Sequence, residues 1–385
     1  MKIYDVLILG GGASGLMCAA NINKKFSVGI IESNEKVAKK LRISGGGKCN
    51  ITNVSVEIDN FDGDKELLAY ALKKFSKERL LNFLERNRVT LEIRKNRYYF
   101  CQKSAQEIID VLKASLHSVD TFVNTQILSL KKEDELFILG TNKNDFYAKK
   151  VVVATGGKSY AQIGASDIGL AIAKSFDIQV KEFTPALVGL TVQKEQFWMR
   201  ELSGVSCYVH IYVGDKILKE EMLFTHKGIS GPAVLSASLY WQKGVLGINF
   251  LPNRDILKEI EGSKKLLSSL ISLPKSVAKA LLKALDIEDK EARKVTQEDR
   301  KKLVGIHNYT FAPAGNFGFS KAEVSRGGVL AEEIHKENME SKKVQGLYFI
   351  GEVVDVTGEL GGYNFQWAFS SAYVCAKSLK LDIIN

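Results

Sequence analysis

The stretch IYDVLILGGGASGLMCAANINKKFSVGIIE, residues 3–32, decides the fold. Residues 3–9 are apolar and partly β-branched, the pattern of a short strand buried in a parallel sheet. Gly10, Gly12 and Gly15 follow in GxGxxG spacing, ASGLMCAANINKK continues as a helix, and FSVGIIES gives a second apolar strand that carries Glu32. Strand, helix, strand and an acid about twenty residues past the glycines form the unit that binds a dinucleotide. Gly10 permits the tight turn, Gly12 lets a pyrophosphate approach the backbone, and Gly15 lets the helix pack closely on the strand. The helix start at Ala13 and Ser14 offers free N–H groups to the phosphates. Glu32 can accept both ribose hydroxyls and would repel a 2′-phosphate.

A second glycine loop, ISGGGKCNITN at residues 43–53, comes straight after the Glu32 strand. A nicotinamide enzyme would normally begin another helix and strand there. Farther on, FYAKKVVVATGG runs a strand into Ala154, Thr155, Gly156 and Gly157. Near the C-terminus, VQGLYFIGEVVDVTGELGGYNFQWAFSSAYVCAKSL gives a strand ending at Gly351 and Glu352, then Asp355, a glycine turn at Gly361 and Gly362, and a helix from Tyr363 and Asn364. Many flavoproteins hold the ribityl chain and isoalloxazine this way, so the expected cofactor is FAD, bound non-covalently. A helix starting near Asn364 would aim its positive end at the side of the ring that becomes anionic on reduction.

These motifs resemble one family closely: the bacterial NAD(P)/FAD-dependent oxidoreductases that include aminoacetone oxidase and a bile-acid 3-oxo-Δ4 reductase. Their pattern, ISGGGRCNxTN, ATGG, P-x-L-V, FTHxGxSGP, A-x-V-x-R-G-G-V and GLYFxGExxDvxGxxGGYNxQWA, is matched in order. Here it reads ISGGGKCNITN, ATGG, PALVGL, FTHKGISGP, AEVSRGGV and GLYFIGEVVDVTGELGGYNFQWA. Lys48 replaces an arginine, keeping the charge and losing the planar fork; GASDIG departs from the usual GSTGDG after ATGG. The resemblance implies that Ser44, Gly45, Gly46, Lys48, Cys49 and Asn50 run along the ribityl–isoalloxazine side, with Ser44, Lys48 and Asn50 as donors. It also implies backbone near Ile127 at the adenine, and FTHKGISGP facing a substrate cleft. Cys49 is either a thiol reacting beside the flavin or a small buried side chain that fits. His226 is either an acid or base or a loop histidine, and Arg326 either binds a carboxylate or oxo group or pairs with an acid. The implied reaction passes a hydride or two electrons between flavin and a small-molecule substrate of enone, amine or ketone type. No second GxGxxG exists, so NADH or NADPH would visit the substrate cleft, or oxygen would close the cycle.

At 385 residues the chain exceeds one small core. The fold class expected is α/β: a discontinuous Rossmann-like FAD-binding domain, with an inserted β-barrel-like domain that itself carries a helical insertion. The boundaries expected are 1–188 with 336–385 for the FAD domain, 189–253 with 305–335 for the β-rich substrate domain, and 254–304 for the helices. Five scattered cysteines without CxxC or metal-ligand spacing predict no disulfide framework and no metal site. The opening lacks a basic leader and no apolar run reaches spanning length, so no membrane partner and a cytoplasmic location are expected. The net charge of +10 is read as a mixed basic surface, with no nucleic-acid partner, because lysines interleave with acids as in DKEARKVTQEDRKK. Two rival readings are a flavin-dependent tRNA-modifying enzyme, motivated by that charge, and a non-catalytic flavin redox sensor.

Overall fold

The computed structural model describes residues 2–116 and 118–380. The chain divides into two compact units, Met1–Thr184 with Val324–Asn385, and Pro185–Glu323.

In the first unit, parallel strands Val119–Phe122, Val28–Ile31, Ile3–Leu9 and Phe146–Val153 lie side by side, and Leu347–Phe349 adds to the last in parallel. Leu136–Thr141 and Ile127–Glu133 extend the other side as an antiparallel hairpin. Val6, Leu7, Ile8 and Leu9 are fully buried, as a central strand covered on both faces requires. Helix Ala13–Asn21 follows the first strand and buries Ser14 through Ala19. The last strand and the helix Tyr363–Ser378 come from the other end of the chain, which makes this Rossmann-type unit discontinuous. A three-stranded antiparallel sheet of Asn50–Asn53, Tyr98–Cys101 and Leu91–Arg94 lies beyond the second glycine loop.

The chain returns to this unit at Val324, earlier than the expected 336. The reason is strand pairing: Val324–Val329 pairs with Val180–Ala186, and Asp355 N–H donates to the Val329 carbonyl at 2.9 Å. The RGG motif therefore belongs to the flavin side of the chain.

The second unit is a seven-stranded sheet in the order Tyr309–Phe311, Leu246–Asn249, Ser206–Val213, Lys216–Thr225, Gly228–Ser230, Leu190–Thr191, Gly315–Asn316. Pairings among the described residues form a linear path, without the ring closure that a barrel requires. Helices Ile256–Glu259, Leu267–Leu270, Lys275–Ala284 and Gln297–Leu303 fall between two neighbouring strands of that sheet. The expected helical insertion does not build a core of its own. Val277, Leu281 and Leu303 pack in the same buried cluster as Ile211, Phe224 and Ile248. Among the described residues no helix is long and apolar enough to cross a membrane.

Candidate functional site

The first glycine loop has the geometry its spacing predicts. Gly10 turns with φ +111°, and a β-carbon on Gly15 would lie 1.9 Å from the Gly10 carbonyl oxygen. Gly12 is different: a β-carbon there would meet no protein atom within 4 Å. The loop is closed toward the strand and open over Gly12, as a phosphate cradle must be. No side chain caps the helix that begins at Ala13, so its first N–H groups remain for a ligand.

Glu32 is buried, and Gly11 N–H donates to its Oε2 at 2.9 Å. Its Oε1 accepts from the backbone and side-chain nitrogens of Asn34, both at 2.8 Å. The carboxylate thus braces the glycine loop from below, and Asn34, which no sequence pattern marked, orients it. The chain passing the end of this strand is Phe122–Thr125: Glu32 N–H donates to Phe122, and Thr125 N–H donates to Glu32, each at 2.9 Å. Ile127 opens the next strand two residues later.

In the second loop Gly45, Gly46 and Gly47 stand at φ +56°, +66° and +86°, three successive left-handed residues. Only glycine does this without strain at each step. Ser44 Oγ donates to the Leu41 carbonyl at 2.7 Å, and Lys48 reaches Glu92 at 3.5 Å. Cys49 is fully buried, and burial pushes its thiol up to about 12. That burial favours, of the two readings of Cys49, the protonated, packed side chain. The Asn50 side-chain oxygen is buried without a hydrogen-bond partner among the described residues, and so is Thr155 Oγ1. Orphaned polar atoms are rare in native interiors. These two lie on separate segments, each directly attached to a glycine motif, and both fit a bound polar cofactor.

Around the ATGG motif, Ala154 is buried and Gly156 has φ +74°. A β-carbon on Gly157 would lie 2.6 Å from Ser325 Oγ and 2.7 Å from Glu352 Oε1. Glu352 accepts from Ser325 N–H and from Lys40 Nζ, both at 2.8 Å. Ser325 Oγ in turn accepts from the N–H groups of Lys158 and Ser159. Lys40 and Ser325 are therefore site residues that sequence reasoning missed; Ser325 adjoins the RGG motif, whereas nothing marked Lys40. Gly351, at φ +72°, donates to Ser371 Oγ and accepts from Trp367 Nε1, both at 3.0 Å. A side chain there would strike Ser14 Oγ at 2.6 Å. Asp355 pairs with Lys181 at 3.3 Å.

Gly361 and Gly362 turn at φ +136° and +91°, and the helix begins at Tyr363 without a side-chain cap. Burial pushes the Tyr363 phenol up. Asn364 lies in the first turn of this helix, one residue past its start. Its Oδ1 accepts from Gly358 N–H and its Nδ2 donates to the Gly358 carbonyl, both at 2.9 Å. The side chain clasps the two peptide groups that flank the Gly358 α-carbon and fixes the strand Val356–Gly358 against the helix.

Arg326 is largely buried and pairs through Nε with Asp62. Of the two alternatives for Arg326, the ion pair is the one present. His226 belongs to the second unit, exposed at the turn between Lys216–Thr225 and Gly228–Ser230, with its carbonyl accepting from Arg200 Nε at 2.8 Å. Among the described residues no cluster of three or more His, Cys, Asp or Glu is placed to hold a metal.

A family model described as the HI0933-like protein Rossmann domain matches residues 4–378. The chain belongs to the HI0933-like family. A relative named ribosomal RNA dihydrouridine synthase, from Haemophilus influenzae, is 35% identical over 97% of this chain and 98% of its own. The 3-dehydro-bile acid delta(4,6)-reductase of Clostridium scindens is 29% identical over 96% of this chain and 98% of its own. Among solved structures, the 3-ketosteroid-delta4-(5alpha)-dehydrogenase of Rhodococcus jostii shares the fold, with a TM-score of 0.51 at 12% identity over 98% and 97% of the two chains. The family is one of flavoprotein oxidoreductases, and the open face over Gly12 and the orphaned atoms of Asn50 and Thr155 suit FAD.

Proposed function

We propose that this protein is an FAD-dependent reductase of a carbon–carbon double bond conjugated to a carbonyl, and that its substrate is a uracil base within structured RNA. Two relatives that match nearly the whole chain bear names for one kind of chemistry. Dihydrouridine is uridine with two hydrogens added across the C5=C6 bond, which is conjugated to C4=O. A delta(4,6)-reductase likewise saturates double bonds conjugated to a steroid ketone. The observation that carries the choice of RNA is the likeness to the dihydrouridine synthase, 35% identical against 29% for the bile-acid enzyme at equal coverage. This replaces the expectation that no nucleic acid is involved, and it moves the RNA-modifying alternative to first place.

Bound FAD supplies hydride chemistry that amino acids lack. The protein's part is to hold and orient. Gly10, Gly12, Gly15 and the helix start at Ala13 would take the pyrophosphate, and Glu32 the adenosine ribose. Ser44–Asn50, Thr155 and the turn Gly361–Asn364 would hold the ribityl chain and ring, with the uncapped helix start at Tyr363 lending positive potential. Glu352, neutralised by Lys40, would shape the floor beneath Gly156 and Gly157. NADH or NADPH is the natural reductant for such a cycle.

The test incubates holoprotein with NADH or NADPH and an RNA rich in unpaired uridine, then analyses nucleosides by mass spectrometry. A uridine product heavier by two hydrogens is expected. Turnover of a steroidal enone with RNA left unchanged would favour the second reading, a small-molecule enone reductase.

A further inference from the structure

The net charge of the chain is not evenly spread. Residues 86–103, RNRVTLEIRKNRYYFCQK, hold six cations (Arg86, Arg88, Arg94, Lys95, Arg97, Lys103) and one anion (Glu92), so they contribute +5 of the total +10. Arg86, Arg88, Lys95 and Lys103 are exposed. We propose that this basic segment, residues 86–103 with the hairpin Leu91–Arg94 and Tyr98–Cys101 at its centre, is the surface that grips the RNA backbone and brings a base to the second glycine loop.

Three observations point this way. The first is attachment. Cys101 N–H donates to the Lys48 carbonyl at 2.9 Å, and Ala105 N–H donates to the Gly47 carbonyl at 2.8 Å. Lys48 also meets Glu92, and a β-carbon on Gly45 would lie 2.9 Å from the Phe100 ring. The hairpin and the loop are one piece of structure, so a strand held by one is delivered to the other.

The second is chemistry. The Arg94 guanidinium lies over the Phe100 ring at 4.5 Å and that of Arg97 over Tyr98 at 5.0 Å. Arg94 also pairs with Glu92 and Tyr98 is buried, so the part offered to a ligand is the half-buried Tyr99 flanked by the exposed cations. Cations for phosphates beside planar groups for bases are the combination that binds single-stranded nucleic acid. A membrane surface would ask instead for a broad apolar face, and the hairpin exposes one large apolar side chain, Ile93.

The third is the turn. Lys95 and Asn96 stand at φ +49° and +55°. They lie in the three-residue connection Lys95–Arg97, where Arg97 N–H donates to the Arg94 carbonyl at 3.1 Å, and left-handed positions favour Gly, Asn or Asp because a β-carbon is disfavoured there. Lys95 keeps a cation at the tip against that preference, and Arg88 does the same at φ +59°.

This inference rests on the RNA reading, and the experiment separates the two. Holoprotein and the variant Arg86→Gln/Arg88→Gln/Lys95→Gln are titrated with a labelled, uridine-containing RNA hairpin between 50 and 200 mM salt. Equal FAD content and melting temperature confirm that the variant is folded; Lys95→Glu alone serves if it is not. Each single-strand phosphate contact contributes about −0.7 to the slope of log affinity against log salt. Losing three contacts should flatten the slope by about 2, so the variant should lose about 20-fold less affinity than wild type across that range. For Lys95→Glu, a flattening of at least about 0.7 is expected. Reduction of the bound flavin by dithionite should be unchanged.

An unaltered slope in a variant, with uridine reduction intact in wild type, overturns the hairpin assignment and leaves the proposed function standing. A wild type that neither binds nor reduces RNA overturns both. Capture by phosphatidylserine vesicles that RNA cannot displace also overturns the assignment.

Discussion

Gly12 and Gly15 share a motif yet should fail in opposite ways when each receives one methyl group. In Gly15→Ala the new carbon would start 1.9 Å from the Gly10 carbonyl oxygen and 3.1 Å from its carbon. Ordinary contacts are near 3.4 Å, so the helix must move off the strand by about 1 Å or more. Alanine returns about 0.5–1 kcal/mol of helix propensity, but overpacking costs about 1–3 kcal/mol. The net expectation is about 1–2 kcal/mol lost from the flavin-free protein, with FAD binding impaired because the loop shifts. In Gly12→Ala the added carbon meets nothing within 4 Å, and the residue sits at φ −81°, which alanine adopts freely. Stability of the flavin-free protein should stay within about 0.5 kcal/mol of wild type. If the pyrophosphate crosses Gly12, FAD affinity should fall about 10- to 100-fold, or roughly 1.4–2.7 kcal/mol. Urea unfolding of the deflavinated proteins and FAD titration by fluorescence quenching measure both quantities. Undiminished FAD affinity in Gly12→Ala would refute the cradle, and a stabilised Gly15→Ala would refute the contact argument.

Asn364→Asp keeps the acceptor for Gly358 N–H but sets a carboxylate against the Gly358 carbonyl. It should cost about 1–3 kcal/mol at pH 7 and recover as pH falls through the new carboxyl's pKa, where an O–H can donate again; thermal melts against pH check this. Asp299 lies in a capping box with Thr296 and takes a hydrogen bond from Lys290 at 2.8 Å, which holds its carboxyl down to about 2 from 3.8. Its contribution is complete above the unfolded value and is lost as pH falls through about 2, so Asp299→Asn should cost about 1–2 kcal/mol at pH 7 and well under half of that at pH 2, by denaturant titration. With its thiol near 12, Cys49 is about one part in ten thousand thiolate at pH 8, so iodoacetamide should spare it in the native protein and modify it after denaturation. Peptide mapping reads the difference.

The first βαβ unit was legible because its physics is local. A two-sided buried strand, a turn that excludes side chains and an acid at a fixed distance all leave a mark in order along the chain. The discontinuity was legible too, since GLYFIGE and GGYNFQWA signal a strand and a helix far from their partners. What escaped were features created by pairing at long range. Lys40 meets Glu352 across 312 residues, and Val324–Val329 joins the first unit because Val180–Ala186 offers it an edge. Asn364 clasps the backbone of Gly358, six residues earlier, a partner that no local pattern announces. The basic hairpin was read as part of a mixed surface because charge counted along the whole chain hides a cluster of 18 residues.

The most direct test of the central claim is a single turnover. Holoprotein is reduced without air, freed of excess reductant, and mixed rapidly with uridine-containing RNA while flavin absorbance is followed and the RNA is then weighed. The account predicts that the oxidised flavin spectrum returns, with one uridine gaining two hydrogens for each flavin reoxidised. A flavin that stays reduced in the presence of RNA, yet is reoxidised at once by a steroidal enone, would contradict it.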